Sequence, residues 1–258
     1  MFDPFGDFET RGYLQNFEGL KRMDEVKVLE HTFFEANLED AFEFLGTVKG
    51  ALTYKHFLKV HHVLFSDFYP WAGQDRWQLG VGQFVEKGNF QFEVSSLAQR
   101  AVEWGLEMGN DPVVLAKKPG VVMGQFAWGH PFLDGNGRTM LIVHTELCSR
   151  ANFSIDWSSS KKMDYLQALT QELKTPDRGL LDGYFKPLIR KLPARKVWMD
   201  HIKALPGLDG AHTEDDNMAY AADDVQAKQR YEEASQLRKR SQQGCAAPSS
   251  ARLRPWRG

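Results

Sequence analysis

His130-Pro131-Phe132-Leu133-Asp134-Gly135-Asn136-Gly137-Arg138 is the stretch on which the reading of this chain turns. It lies between two segments whose apolar residues recur at helical spacing, so it is a tight loop inside a domain. Gly135 and Gly137 let the backbone turn with its amides inward, a nest for an anion. The loop opens directly into a helix, whose first amides and positive dipole end favour phosphate. Asn136 adds an amide donor, and Arg138 adds a guanidinium that can hold phosphate oxygens by two hydrogen bonds. Asp134 is a carboxylate beside this nest. It would repel phosphate unless a divalent cation lay between them, and Mg²⁺ usually binds through one or two carboxylates plus phosphate oxygens. His130, at the other end, can accept a proton near neutral pH. Phe132 and Leu133 are expected to point into the core and pin the loop. A base, a metal ligand and an anion cradle together describe phosphoryl-type transfer from a nucleoside triphosphate.

Working outward, helical periodicity covers most of the first 190 residues. Asp24 to Leu38 reads as a helix with Val26, Leu29, Phe33 and Phe34 inward. Thr53 is the expected N-cap of a helix from Tyr54 to about Asp67, followed by a turn at Tyr69–Gly73. Trp77 to Phe92, rich in glycine and aromatics, reads as a small hairpin or flap. Ser95 or Ser96 should cap a helix through about Met108. Asp111-Pro112 and Lys118-Pro119 suit helix starts. The second of these helices should end near Trp128, with Gly129 in the left-handed conformation that closes a helix. A long apolar helix is expected from about Gly137 to Ala151, and two more over 159–173 and 177–191.

The composition, 42% hydrophobic and 12% aromatic in 258 residues, supplies one sizeable core. A net charge of −2 points to no general nucleic-acid or membrane-surface binder. There is no basic start leading into an apolar stretch, and no run of about 18 apolar residues that would span a bilayer. The two cysteines, Cys148 and Cys245, make neither a disulfide scaffold nor a zinc site. A cytoplasmic location is the expectation, with translocation of the protein left open. Composition shifts near residue 192. Residues 193–240 are expected to be a charged helical extension and 241–258 a disordered tail with little to bury.

The loop resembles, residue for residue, the HPFx(D/E)GNGR signature of the Fic family. The resemblance extends to Leu58–Phe65, Tyr69-Pro70-Trp71-Ala72-Gly73 and Arg76, to Lys87-Gly88-Asn89 and Phe92 of the flap, and to Ala151-Asn152-Phe153 and Asp156-Trp157. It covers roughly residues 10 to 190 of a domain placed over 1–192. It implies an all-α Fic fold, a helical bundle with a short β-hairpin flap beside the active-site loop. It further implies a protein adenylyltransferase that moves AMP from ATP to a Tyr, Ser or Thr hydroxyl of a target protein. His130 would be the general base, Asp134 the Mg²⁺ (or Mn²⁺) ligand, and Gly135, Asn136, Gly137 and Arg138 the phosphate cradle. Lys87, Gly88, Asn89 and Phe92 would clamp an extended target segment. His61 and His62 are treated as structural.

Two departures qualify the resemblance. Many family members read GNGRxxR, and here Leu141 stands in place of the second arginine, which puts ATP choice, rate and the usual self-inhibition in doubt. The inhibitory motif Ser/Thr-x-x-x-Glu-Gly/Asn is absent: the only Glu followed by Gly or Asn is Glu18, and Leu14 stands four residues before it. A separate small antitoxin-like protein would then supply the inhibitory helix, or such regulation does not operate. Target proteins among relatives include type II topoisomerase subunits and small GTPases. Alternatives to AMP transfer are another donor chemistry (UMP, phosphocholine or phosphate) and a binding-only relative with little turnover. The intact Gly135-Asn136-Gly137 argues against the Doc-like kinase branch.

Overall fold

A computed structural model describes residues 15–20, 22–80, 85–87, 90–176 and 178–203. Helices α1 (Met23–Ala36), α2 (Leu38–Thr47) and α3 (Tyr54–Phe65) lead to a two-stranded antiparallel hairpin, β1 (Glu86–Lys87) and β2 (Phe90–Gln91). Then follow α4 (Ser95–Gly109), α5 (Pro112–Lys117), α6 (Pro119–Gly129) and α7 (Asn136–Arg150). The described chain closes with β3 (Phe153–Ile155), α8 (Lys162–Lys174), α9 (Leu180–Phe185), β4 (Ile189–Lys191) and α10 (Trp198–Lys203). The expected helical bundle with a small hairpin is the observed architecture.

The helix starts follow from local chemistry. Thr53 and His56 form a capping box at α3, with His56 Nδ1 accepting from Thr53 N at 2.9 Å. Asp111 Oδ1 accepts from Val113 N and Val114 N and opens α5, with Pro112 in its first turn. The serine cap expected for α4 is not used. Ser95 lies inside the helix, the N-cap is Val94, and the Glu93 side chain accepts from Val94 N at 2.9 Å.

α6 is apolar on every side and is accordingly buried on every side. It packs against α4, α7, α8 and α9, while α7 meets α2, α3, α5 and β3. Val122, Met123, Phe126 and Ala127 of α6 and Ile142, Val143 and Leu147 of α7 form the centre of the core. The loop is therefore the link between the two most buried helices among the described residues.

Three differences from the sequence reading have physical causes. α1 stops at Ala36 and a second helix restarts after Asn37, whose φ of −94° and ψ of 3° break the helical path without any glycine or proline. The helix expected to reach Lys191 ends at Phe185. Pro187 lacks the amide a longer helix would need, and residues 189–191 instead pair antiparallel with Phe153–Ile155. The domain also passes the boundary expected at 192. Trp198 and Ile202 are buried in the main core, and Trp198 sits edge-on to Phe42 at 5.4 Å. Arg195 ties the same segment down through Glu146 Oε2 at 2.8 Å and the Phe42 carbonyl. The rest of the expected charged extension, and the tail over 241–258, lie outside the described residues.

The docking of α10 should be measurable. Ile202→Ala removes a buried aliphatic side chain and should cost about 2–4 kcal/mol of stability. Urea unfolding of parent and variant checks it, and a loss below about 0.5 kcal/mol would show that the segment past residue 192 adds little to the domain.

Candidate active site

The loop begins with strain. α6 runs one residue further than expected, to Gly129, and His130 itself takes the left-handed conformation at φ 39° and ψ 55°. For a residue with a Cβ this costs on the order of 1–3 kcal/mol and persists only where the surroundings fix it. Arg76 fixes it. This wholly buried side chain donates from Nε to the His130 carbonyl at 2.7 Å and from NH2 to the Gly129 and Glu93 carbonyls at 3.3 and 2.8 Å. Its backbone N–H donates to the Pro131 carbonyl at 2.7 Å. Burial pushes the Arg76 guanidinium down to about 10, so it remains charged at neutral pH.

The imidazole of His130 lies flat on Phe92, with ring centroids 4.0 Å apart and planes 17° apart. Phe92 was expected among the target-docking residues of the flap. It is buried instead and forms the floor under His130, because its amide bonds to the Val85 carbonyl and turns the ring inward. Glu93 adds a second tie, accepting from Trp128 Nε1 at 3.0 Å. Lys87 lies in β1, and Gly88 and Asn89 fall outside the described residues.

Beyond His130 the loop is pinned as the sequence suggested, with Phe132 and Leu133 in the core. Phe132 stacks between His61 at 3.8 Å and Phe57 at 5.9 Å. The Asn136 side chain, expected to donate to phosphate, serves the loop. Its Oδ1 accepts from Phe132 N and its Nδ2 donates to the Phe132 carbonyl, both at 2.9 Å. A short side-chain amide four residues on is well matched to close this turn, so the Asn136 side chain is committed to the loop. His61, treated in the sequence as structural, reaches the loop as well. Its Nδ1 accepts from Gly73 N at 2.8 Å, which fixes the proton on Nε2, and Nε2 donates to the Asp134 carbonyl at 3.1 Å.

The two glycines differ. Gly135 is left-handed at φ 74°, and a Cβ there would meet the Phe65 ring at 2.6 Å and His61 Nε2 at 3.1 Å, so the fold itself requires glycine. At Gly137 a Cβ would meet nothing within 4 Å. The backbone at the start of α7 thus faces open space, and the amides of residues 136–138 are those an α-helix leaves without intrahelical acceptors.

The charges around this cradle come from an element that the sequence reading did not connect with it. Glu30 of α1, 1% exposed, accepts from Arg138 NH2 at 2.7 Å and from the Tyr69 hydroxyl at 3.1 Å. Lys27, one turn earlier, contacts Glu30 at 3.3 Å and makes a short contact with Asp134 Oδ2. Asp134 Oδ1 accepts from Gly135 N at 2.6 Å and lies 3.7 Å from Arg138. Burial alone would raise the Asp134 carboxyl. The Lys27 ammonium and the Arg138 guanidinium outweigh it and hold the group well below the usual carboxylate range. Arg138 also lies over the Phe65 ring at 4.7 Å. A signal for this network does exist in the sequence. Glu30 stands four residues after Val26 and four before Phe34, so a carboxylate occupies the apolar stripe of α1 and needs a buried partner. Leu141, which replaces the second arginine of the resemblance, is 7% exposed and belongs to the core.

Residues 51–148 match the family model described as the Fic/DOC family. Protein adenylyltransferase VbhT of Bartonella schoenbuchensis is 28% identical over 170 residues, which is 64% of this chain and 35% of that protein. The chain thus spans about a third of the length of that relative. "Probable protein adenylyltransferase y4lH" of Sinorhizobium fredii is 28% identical over 160 residues, 60% of this chain and 81% of the relative. Among solved structures, the ADP-bound N-terminal Fic domain of a VirB-translocated Bep effector from Bartonella quintana has a TM-score of 0.58 at 20% identity, covering 73% of this chain and 94% of that one. BepC from Bartonella tribocorum, with bound AMPPNP, has a TM-score of 0.56 at 16% identity, covering 70% and 93%. These two likenesses establish the fold.

Two buried histidines make the stability of this site depend on pH. Burial pushes His61 down to about 3 and His144, whose Nε2 bonds to the Pro119 carbonyl, down to about 4. Above about pH 6.5 both are neutral in the folded and the unfolded chain. Below that, only the unfolded chain takes up their protons, so stability falls as pH drops from about 6.5 toward 4. Each histidine should contribute up to about 1.4 kcal/mol per pH unit in that window. Urea unfolding at several pH values checks this, and a flat profile between about pH 6.5 and 4.5 would mean that these rings are already protonated in the folded protein.

Proposed function

We propose that the chain, whose residues 51–148 match the Fic/DOC family, is a protein adenylyltransferase that moves AMP from ATP to a Tyr, Ser or Thr hydroxyl of another protein. The observation that carries this reading is the open space over Gly137 at the start of α7, in the same loop as the imidazole of His130. An anion cradle and a proton acceptor at the two ends of one short, fixed segment would suit this chemistry. The names of the curated relatives and the nucleotides bound in the two solved structures support the choice of donor.

In this reading the triphosphate lies along the first turn of α7, held by the amides of residues 136–138 and by Arg138. His130 takes the proton of the target hydroxyl, whose oxygen bonds to the α-phosphorus as the bond to pyrophosphate breaks. The left-handed backbone at residue 130 and the stack on Phe92 fix the direction in which the ring points. Asp134 is the residue that would hold Mg²⁺ or Mn²⁺. The ion pair with Lys27 supports the fit, since this carboxylate already faces a cationic group. A bound divalent ion would neutralise phosphate charge there. The β1–β2 hairpin would receive the target segment. The target would be a protein with a modifiable hydroxyl, such as a topoisomerase subunit or a small GTPase, and a separate small antitoxin would be the partner for regulation.

ATP labelled at the α or the γ position separates the chemistries. Label from the α position should appear on protein in a cell lysate, and label from the γ position should not. Transfer of γ label would replace this reading with phosphorylation. His130→Ala should lower transfer by about 10²–10⁴-fold without changing ATP affinity. Transfer by this variant at the parent rate would remove His130 from its role.

Gly137→Ala should fold like the parent, since its methyl meets no protein atom, and should weaken ATP binding by about tenfold or more by crowding the amides. Calorimetry checks it, and parent-like affinity would place the phosphates elsewhere.

A further inference from the structure

Lys27, Asp134, Arg138 and Glu30 form a closed ring of alternating charge in which each member touches the next. The ring has a buried end and an open end. Glu30 and Arg138 are 1% and 13% exposed, whereas Lys27 and Asp134 are 22% and 28% exposed. Its formal charge is zero, two cations against two carboxylates, so a polyphosphate arriving at the cradle gains no net attraction from it. Arg138 is anchored from behind by Glu30 and stacked on Phe65. It cannot swing far to meet additional oxygens. Leu141 faces the core and adds no charge. Binding more than one phosphate therefore calls for another cation, and the ring supplies one whose present contact is exchangeable.

That cation is Lys27. Its ammonium holds Asp134 Oδ2 at the open end, where a divalent ion bound to Asp134 would have to sit. Two cations on one carboxylate oxygen repel at close range, so the ammonium and the metal are alternative partners of Asp134. The lysine stem is long and flexible and Glu30 remains within reach at 3.3 Å, so the displaced ammonium stays beside the cradle. We propose that Lys27 is a nucleotide-binding residue supplied by α1, which gives up Asp134 to a divalent cation and transfers its ammonium to an oxygen of the phosphates beyond the α-phosphate. The proposal rests on the adenylyltransferase reading for the identity of the ligand, while the exchange at Asp134 rests on the ring alone.

The test uses the full chain and Lys27→Met, with Lys27→Arg as the charge-retaining control. Mn²⁺ alone is titrated first, followed by electron paramagnetic resonance. Lys27→Met should bind it severalfold more tightly than the parent, because the competing ammonium is gone. Calorimetry at saturating Mg²⁺ then compares ATP, ADP and AMP. Lys27→Met should bind ATP and ADP about tenfold more weakly with AMP unchanged, and Lys27→Arg should bind ATP within about threefold of the parent. A lysine with only a structural role would lower thermal stability and weaken all three nucleotides alike, and that outcome would overturn the proposal, as would parent-like ATP affinity in Lys27→Met. Unchanged Mn²⁺ affinity would overturn the exchange at Asp134. A parent that binds none of the three nucleotides would sink the adenylyltransferase reading and the phosphate contact with it, while the Mn²⁺ titration would still decide the exchange. Should Lys27→Met fail to fold, Lys27→Gln carries the same comparisons.

Discussion

The structure depends on a left-handed histidine held in place by a buried arginine. α6 and α7 are the two most enclosed helices, and only residues 130–135 join them. A turn that short between packed helices needs a reversal of backbone hand at each end, and residues 130 and 135 provide it at φ 39° and 74°. Glycine meets the second demand without strain. At the first, histidine adopts a conformation it would otherwise avoid, and four hydrogen bonds from Arg76 to the Glu93, Gly129, His130 and Pro131 carbonyls offset the cost. Because those bonds go to backbone oxygens, they fix the path of the chain and leave the imidazole to be oriented by Phe92. Backbone strain, the buried cation and the direction of the base are one arrangement.

The same economy operates at the other end of the loop. Asn136 closes the turn onto Phe132, His61 bridges Gly73 and Asp134, and Phe132 fills the gap between His61 and Phe57. Each of these polar groups is spent on holding backbone, so that the amides of the first turn of α7 remain for a ligand. Preorganisation of this kind matters because donors already in position need no rearrangement when charge develops. Arg138 follows the same rule, with its guanidinium braced by Glu30 and by the Phe65 ring.

Much of this was legible in the sequence, and what was missed has a common cause. The loop between two apolar helices, the Thr53 and Asp111 caps and the flap were readable because their signals are local, a few residues apart. The long-range partners were not. Arg76 and Glu30 lie 54 and 108 residues from the atoms they hold, and no spacing rule connects them. Asn136 was read as a ligand because its residue type suits phosphate equally well. Only the geometry shows that its amide is committed to Phe132. The αL residue was assigned to Gly129 on glycine's intrinsic preference, and tertiary hydrogen bonding overrode it by one residue. The helix through Pro187 and the boundary at 192 erred differently: a proline and a pair of apolar residues, Trp198 and Ile202, were visible but outweighed by the surrounding pattern.

Leu141 and the charge ring belong to one argument. Leu141 is apolar and buried, so it brings no charge to this end of α7. Arg138 is then the one cation that α7 itself adds to the ring. The second cation comes from a neighbouring element, α1, through Lys27, and Glu30 of the same helix pairs with both Lys27 and Arg138. The consequence is that α1 and the loop are held together by ion pairs whose strength depends on what occupies the cradle. Any anion or cation that binds there alters the attachment of α1, and by linkage any partner that shifts α1 alters affinity at the cradle by the same factor. A site built on one helix would lack that connection. Placing part of its charge on α1 makes the grip of the N-terminal helix on the domain and the grip of the cradle on its ligand two measures of the same interactions.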